Sequence, residues 1–290
     1  MMPLVEASDK AGGTSSYATY KDIVFSQGAH YDIEYPNYYG EEVLQLLQEL
    51  RIIQFDDISN KWEFVEKEYI IPSEKESVAY FRDQIVEDPL NISDREKAFV
   101  DIIQPYLGKL PLPTRLIPKE LHHLNSINFR DFLASTKLND DLLDQSLDYQ
   151  FIDDYGAGMD QVSALAGLHY FACRPYFSEN PLTFSPPEGN YYFVRKMLQH
   201  NHAKEVMLDS FVFRIRKEGK EFLTSVWNEA EQQVYEIRSK KVLYSGKKHA
   251  LKFIYPDIQF ENDIEYAPWL VMNFVLSNIG FKFGDKYWQN

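Results

Sequence analysis

Apolar side chains recur along this chain at two spacings, which predict helices in some stretches and strands in others. From Glu41 to Ile53 they return every three or four residues, the period of an amphipathic helix. From Trp62 to Ile71 they alternate with polar residues, and the run stops at Pro72, which predicts one arm of a β-hairpin. The first part of the chain is therefore predicted to combine helix and strand.

Two S-x-x-E boxes mark further helix starts in the middle of the chain. At 73–76 and 93–96, a serine hydroxyl and a glutamate carboxylate can bond the free backbone N–H groups of a first helical turn. We expect these helices to end near Val86 and Ile103. Further helical patterns cover 128–133, 140–147 and 161–172. The middle of the chain is predicted to be mainly helical.

The pattern changes after the proline-rich turn Pro186–Asn190. A helix is predicted from Tyr191 to Gln199, and short alternating runs then predict strands. These strands are expected at 211–216, 222–227, 234–238, 242–244 and 266–276. A strand remnant, a helical insertion and a return to strands is the order expected when a substrate-binding region interrupts a dinucleotide-binding fold.

The first residues carry a nucleotide-binding pattern. Leu4-Val5-Glu6 reads as an apolar strand that ends in an acidic residue, and the pair Gly12-Gly13 follows it. In dinucleotide folds such a carboxylate accepts the ribose hydroxyls, and glycines let the backbone approach the phosphates. A glycine-rich turn should precede this strand, but only three residues precede Leu4, so we expect the unit to be incomplete. On this pattern alone, a surface loop is the alternative.

The composition predicts a folded protein with a sizeable core. Of 290 residues, 44% are hydrophobic and 15% are aromatic, which is enough apolar area to offset the entropy of ordering the chain. The formal net charge of −14 argues against a nucleic-acid partner and disfavours an anionic membrane surface. No run is long enough for a membrane-spanning helix and no signal peptide is visible, so we expect a cytoplasmic protein unless an upstream signal directs export.

Neither disulfide nor metal chemistry is predicted. The single cysteine, Cys173, follows an apolar helical pattern and is expected to be a packed thiol. His200 and His202 have a spacing that can chelate a metal from a strand, but no third ligand completes a site. A cation near a helix C-terminus is the better interpretation of these histidines, so we predict no metal site.

Five segments, in this order, resemble FAD-dependent oxidoreductases of the flavin-containing amine oxidase superfamily. They are LVEASDKAGGTSS near the start, GAHY at 28–31, YGAGMDQVSALAGLHYFACR at 155–174, PPEGN at 186–190 and EYAPWLVMN at 265–273. The set is similar to a bacterial branch often described only as NAD(P)-binding or FAD-dependent proteins. The resemblance implies an α/β (α+β) fold, truncated at both ends, in which a Rossmann-like FAD-binding domain is interrupted by a mainly helical substrate domain.

The resemblance also implies a division of the chain. Residues 1–30 would form an incomplete first FAD-binding segment, 31–185 a mainly helical region for a small-molecule substrate, and 186–256 the second FAD-binding segment. Residues 257–290 would supply a substrate-domain strand and the start of an incomplete C-terminal segment.

The same match implies cofactor-binding residues near the start of the chain. The residue matching Glu6 binds the adenosine ribose, and the pair matching Gly12-Gly13 approaches the cofactor. The turn matching Gly28-Ala29 lies beside the isoalloxazine ring. There His30 could hydrogen-bond the flavin or relay a proton, with a purely structural histidine as the alternative.

Later residues complete the implied cofactor site. Glu188 and Gly189 belong to the motif that begins the second cofactor-binding segment, and Val212 matches a position whose backbone contacts adenine. Two departures from the family pattern are visible. Thr14 stands where an arginine is usual, and the late strand reads Tyr244-Ser245-Gly246 in place of Ala-Thr-Pro.

Two functions follow from the sequence and stay open at this point. The first is an FAD-dependent oxidoreductase that oxidises an organic substrate by hydride transfer to the flavin, with no catalytic residue assigned. The second is a flavoprotein-like domain without FAD, acting as an interaction module or an inactive fragment. It is motivated by the phosphate-binding turn, which the sequence does not contain.

Overall fold

The fold divides into two units, and the chain passes from one to the other three times. The computed structural model describes residues 3–28, 33, 40–71, 79–81, 84–86, 93–112, 114–138, 140–173, 183–200, 206–259, 266–267 and 270–275. The first unit consists of Met1–Ala29 and Asn190–Tyr266. The second unit consists of His30–Gly189 and Ala267–Asn290.

Short strands and helices are interspersed along the chain. The strands are β1 Leu4–Val5, β2 Tyr17–Tyr20, β3 Ile23–Ser26, β4 Ile53–Asp56, β5 Lys61–Phe64, β6 Ile70–Ile71, β7 Ala79–Phe81, β8 Gln84–Val86, β9 Thr183–Phe184, β10 Val206–Met207, β11 Ser210–Glu218, β12 Glu221–Asn228 and β13 Gln233–Ser239. The helices are α1 Glu41–Glu49, α2 Ser93–Ile103, α3 Phe129–Ser135, α4 Asp141–Tyr155, α5 Ala164–Ala172, α6 Tyr191–His200 and α7 Lys248–Ile254.

In the first unit, a parallel strand pair joins the two distant parts of the chain. β1 pairs with β10, so that Leu4 lies opposite Val206 and Val5 lies opposite Met207. Beyond the strands, the backbone N–H of Asp209 donates to the carbonyl of Ser8 at 3.0 Å, which extends the contact. The antiparallel hairpin β2–β3 and the antiparallel sheet β11–β12–β13 complete the strand structure of this unit.

A buried polar network fixes the start of the three-stranded sheet. The Asn228 side-chain amide donates to Ser210 Oγ at 2.9 Å and to the Leu208 carbonyl at 3.2 Å. Asn228 Oδ1 accepts the backbone N–H of Glu231 at 2.7 Å. Because Asn228 and Ser210 are both buried, these bonds satisfy groups that would otherwise be costly in the interior. They tie the turn after β10 to the turn between β12 and β13.

The second unit is organised around an aromatic core between its helices. Phe129, which is fully buried, lies 5.0 Å from Phe151 and 6.0 Å from Phe132, measured between ring centroids. α5 can pass this close because it presents Gly167, where an added Cβ would overlap the Phe129 ring and lie 2.7 Å from its Cγ atom. Burying a side chain of this size contributes roughly 1.5–3 kcal/mol, so helices α3, α4 and α5 are held mainly by this cluster.

Local capping explains where two core helices begin. The Asn128 side chain accepts the backbone N–H of Asp131 at 2.7 Å at the start of α3. Ser163 Oγ accepts the backbone N–H of Ala166 at 3.2 Å at the start of α5. Each cap satisfies one of the backbone donors that a first turn leaves without a helical partner.

Several helix predictions are confirmed, and three predicted elements are wrong. Helix α2 occupies Ser93–Ile103 as predicted, and α6 extends only one residue beyond its predicted end. The helix predicted over 73–86 is contradicted by β7 and β8, which pair antiparallel at 79–81 and 84–86. Residues 72–78, with the capping serine, lie outside the described residues. Aromatic and β-branched residues in this stretch favour a hairpin over the helix signalled by the capping pattern.

The other two errors concern strands. Residues 242–244 form no strand, and neither do the described residues 266–267 and 270–275 of the strand predicted over 266–276. Both predictions rested on runs of apolar residues. A strand also requires a hydrogen-bonding neighbour, which periodicity alone does not supply.

Candidate functional site

The Glu6 carboxylate lies at the carboxyl end of a parallel strand. The backbone N–H of Glu6 donates to the Met207 carbonyl, and the Glu6 carbonyl accepts the N–H of Ser210, both at 2.9 Å. Glu6 Oε1 accepts the backbone N–H of Ser8 at 3.0 Å, and the side chain is half-buried. Both backbone polar groups of Glu6 are therefore hydrogen-bonded to the stretch 207–210, and the carboxylate keeps acceptor capacity for a ligand hydroxyl.

The glycine pair forms a tight turn, and its two members have different surroundings. Gly12 has φ +129°, and an added Cβ would lie 2.7 Å from the carbonyl oxygen of Ser15. The backbone N–H of Ser15 closes the turn by donating to the Gly12 carbonyl at 2.9 Å. Gly13 has φ +58°, and an added Cβ would meet nothing within 4 Å. The chain itself requires glycine at position 12, whereas the space beside Gly13 is open to a ligand.

Gly28 follows the hairpin β2–β3 and packs directly against Thr14, the residue after the glycine pair. An added Cβ at Gly28 would overlap the carbonyl oxygen of Thr14 and lie 2.9 Å from the Thr14 carbonyl carbon. The neighbouring Gln27 donates its backbone N–H to the Ser16 carbonyl at 2.9 Å. Gly28 is thus needed for packing within the first unit, independently of any cofactor. Ala29 and His30, the next predicted site residues, lie outside the described residues.

Helix α6 packs beside the glycine turn. Both methyl carbons of Val194 lie 3.4 Å from the position of a Gly12 Cβ. One turn earlier on the helix, the Tyr191 ring lies 4.5 Å from the Tyr17 ring, and Lys10 Nζ lies 4.9 Å from the Tyr17 ring centroid. Lys10 therefore brings a positive charge next to the turn whose following position, Thr14, lacks the usual arginine. Lys10 is not among the predicted site residues, because only its contact with Tyr17 shows where its side chain lies.

The start of β11 lies beside Glu6. Ser210 is bonded to the Glu6 carbonyl, and Val212 follows two residues later, opposite Val226 in the sheet. A β-bulge at Phe213 shifts the register directly after Val212. The structure therefore brings the backbone of Glu6 next to the beginning of β11, and Gly12 and Gly13 belong to the same unit.

The remaining two predicted site residues belong to the second unit. Glu188 is half-buried, and Gly189 is buried with φ +58°. The backbone N–H of Gly189 donates to the Pro186 carbonyl at 2.9 Å, which closes a turn directly before the chain enters the first unit.

The part of the chain that the structure describes contains neither a metal-ligand cluster nor a membrane-spanning helix. No group of three or more metal-ligating side chains is found there. Over the same residues, every helix is too short or too polar to cross a lipid bilayer.

The comparisons with known proteins relate this fold to oxidases. Neither a family model nor a curated protein sequence matches the chain. Among solved structures, a triple mutant of putrescine oxidase, made in a redesign of its cofactor binding, has a TM-score of 0.58 at 13% identity and is covered over 54% of its length by 87% of this chain.

Two further solved structures give the same result. Wild-type putrescine oxidase bound to putrescine has a TM-score of 0.53 at 14% identity, with 87% of this chain covering 54% of that one. A protein from Exiguobacterium sp. 255-15, described as a protoporphyrinogen oxidase, has a TM-score of 0.53 at 13% identity, with 89% of this chain covering 56% of that one. The chain spans about half the length of these structures. It shares their fold over that part.

Proposed function

We propose that this chain is an FAD-dependent oxidoreductase of the flavin amine oxidase type. Its reaction would be oxidation of an organic small molecule by hydride transfer to the flavin, chemistry that the cofactor supplies when it is bound. The observation that carries the proposal is the Glu6 carboxylate, held at the end of a parallel strand and followed in the chain by a glycine turn. The fold shared with two kinds of oxidase supports it.

Residues of the first unit would hold the adenosine end of FAD. Glu6 would accept the ribose hydroxyls, since a carboxylate acts there only as an acceptor and the diol supplies two donors. The open space at Gly13 would allow backbone N–H groups to approach the pyrophosphate. Lys10 would supply a positive charge to the phosphates, and the backbone near Val212 would contact adenine.

For the flavin end of the cofactor, the binding residues are proposed from the family resemblance alone. Gly28, Ala29 and His30 would lie beside the isoalloxazine, and Glu188 and Gly189 would begin the second cofactor-binding segment. The contribution of the protein would be orientation of the ring, exclusion of water and electrostatic tuning.

A second candidate function is the same architecture without FAD, acting as an interaction module. One observation favours it. Gly12 and Gly28 each avoid a clash with the chain's own backbone, so both glycines would be required even if no cofactor were bound. Of the three glycines in residues 1–30, only Gly13 has free space that a ligand could use.

The visible spectrum of the purified protein distinguishes the two functions. A flavoprotein should show the flavin absorption bands, either as purified or after incubation with FAD, and denaturation should release FAD into the filtrate. A protein that stays colourless after incubation with excess FAD and gel filtration would contradict the first proposal and support the second. Circular dichroism before and after incubation serves as the control for folding.

A further inference from the structure

One segment of the first unit has a charge opposite to that of the whole chain. The chain carries a formal net charge of −14, with 44 acidic residues against 30 basic ones. From residue 237 to residue 256 there is no Asp or Glu. Five lysines fall within residues 240–253, which we call the basic segment; they are Lys240, Lys241, Lys247, Lys248 and Lys252.

The basic segment consists of an extended stretch and a short helix joined by a turn. Residues 240–245 have no regular secondary structure, and helix α7 begins at Lys248. The turn is closed by Tyr244, whose hydroxyl donates to the Lys247 carbonyl at 3.1 Å. After the helix, the Tyr255 ring lies 6.3 Å from the Phe222 ring, which attaches the segment to β12.

Helix α7 presents one basic and aromatic face to solvent. His249, Lys252 and Phe253 are exposed, and their spacing of three and four residues places them on the same side of the helix. The other side, with Leu251 and Ile254, is half-buried. The Phe253 side chain is 73% exposed, and Lys252 Nζ lies 5.0 Å from its ring centroid.

Residues 240–245 also combine exposed lysines with an exposed apolar side chain. Leu243 is 84% exposed and follows the exposed pair Lys240 and Lys241. Among the described residues, no ion pair involves Lys240, Lys241, Lys247 or Lys252. Arg238 differs, since Glu218 lies 3.2 Å away and balances its charge. Lys240, Lys241, Lys247 and Lys252 therefore present positive charge that no ion pair among the described residues balances, in the same segment as two exposed apolar side chains, Leu243 and Phe253.

We propose that the basic segment docks on an anionic phospholipid surface. The lysine ammonium groups would contact lipid phosphates, while Leu243 and Phe253 would enter the boundary between headgroups and acyl chains. Lysine stems bury their methylene groups in such a boundary and keep the charged ends in water. The excess of acidic over basic residues in the rest of the chain would favour contact through the basic segment.

A lipid surface accounts for both the lysine charges and the exposed apolar side chains better than an acidic protein does. An acidic protein would satisfy the lysines, but it would leave Leu243 and Phe253 needing apolar pockets of their own. A membrane interface supplies anionic groups and apolar depth at every point. The inference does not depend on the proposed oxidoreductase function. The basic segment lies within the second FAD-binding segment implied for 186–256, but none of the residues proposed to contact FAD falls in 240–253.

Co-sedimentation with lipid vesicles tests this inference. The full chain should pellet with vesicles of three parts phosphatidylcholine to one part phosphatidylglycerol at low salt, and not with pure phosphatidylcholine. At about 0.5 M salt the fraction bound should fall several-fold, because surface charges are then screened beyond a few ångströms. Equal binding to both vesicle types, or no binding to anionic vesicles at low salt, would overturn the proposal.

Substitutions locate the binding surface. Each of Lys240→Ala and Lys252→Ala should lower the partition coefficient about fivefold. The matched control is Lys61→Ala, an exposed lysine on β5 in the second unit, which should leave binding unchanged. Equal losses for the control and the segment variants would refute the assignment to this segment.

A second pair of substitutions measures how much the apolar side chains contribute to vesicle binding. Phe253→Ser should weaken vesicle binding about tenfold, because part of a buried phenylalanine's transfer free energy is lost. Ile58→Ser is the control, since Ile58 is 96% exposed and lies in the second unit. Full binding by Phe253→Ser, together with binding to polyglutamate by the wild type, would assign the surface to an acidic protein partner instead.

Discussion

Replacing Gly28 with alanine is expected to open the contact between the glycine turn and the hairpin β2–β3. The new Cβ would overlap the Thr14 carbonyl oxygen and lie 2.9 Å from its carbon, and both atoms belong to backbone that cannot rotate away. Separating them removes the neighbouring Gln27-to-Ser16 hydrogen bond, which measures 2.9 Å. Strain from overpacking and the lost bond together amount to about 2–4 kcal/mol.

Hydrogen exchange at the Gln27 amide measures this effect locally, which matters because the two units need not unfold together. A cost of about 2 kcal/mol corresponds to a loss of protection of about 30-fold. Gly13→Ala is the control. Its φ of +58° costs an alanine about 1 kcal/mol, but no atom lies within 4 Å of the added methyl group. Unchanged Gln27 protection in Gly28→Ala, or an equal loss in Gly13→Ala, would refute the reasoning.

Two further predictions concern the stability of each unit. Asn228→Ala should destabilise the first unit by about 2–3 kcal/mol in urea unfolding, because it removes three hydrogen bonds and leaves buried groups without partners, whereas the exposed Gln233→Ala should have little effect. In α4, burial and then the adjacent Asp154 raise the pKa of Asp153. Its ionised form therefore destabilises the folded state at neutral pH, and this penalty is lost as the pH falls through the raised pKa. Asp153→Asn should raise the Tm at pH 7 and have no effect near pH 3, where both states are protonated; a larger gain at low pH would contradict this sign.

Local sequence signals predicted the helices well where capping and packing agree. The serine box at 93–96 begins α2, and the helical pattern over 161–172 contains α5. The hairpin β7–β8 was missed because aromatic and β-branched residues outweighed a capping pattern further upstream. The strand at Leu4 was predicted from its residues, but its partner Val206 comes from the other end of the chain, and such long-range pairing has no local signal.

The candidate site was predictable in its types of residue and not in its packing. The sequence predicted Gly12, Gly13 and Gly28 as cofactor-binding residues. Only the structure shows that Gly12 and Gly28 avoid clashes with the backbone, whereas Gly13 lies beside open space. It also places Lys10 on Tyr17, next to the turn. The net charge disfavours an anionic surface, and a sum over the chain does not show that five of its lysines fall within residues 240–253.

Titration of the protein with FAD, followed by flavin fluorescence, tests the central claim most directly. The wild type and Asp22→Asn, which removes an exposed carboxylate in the turn between β2 and β3, should bind FAD with equal affinity. Glu6→Gln should bind roughly 10- to 100-fold more weakly, since hydrogen bonds from the ribose hydroxyls to a charged acceptor contribute about 1.5–3 kcal/mol. Equal FAD affinity for Glu6→Gln and the wild type, or no binding by any of the three proteins, would contradict the account.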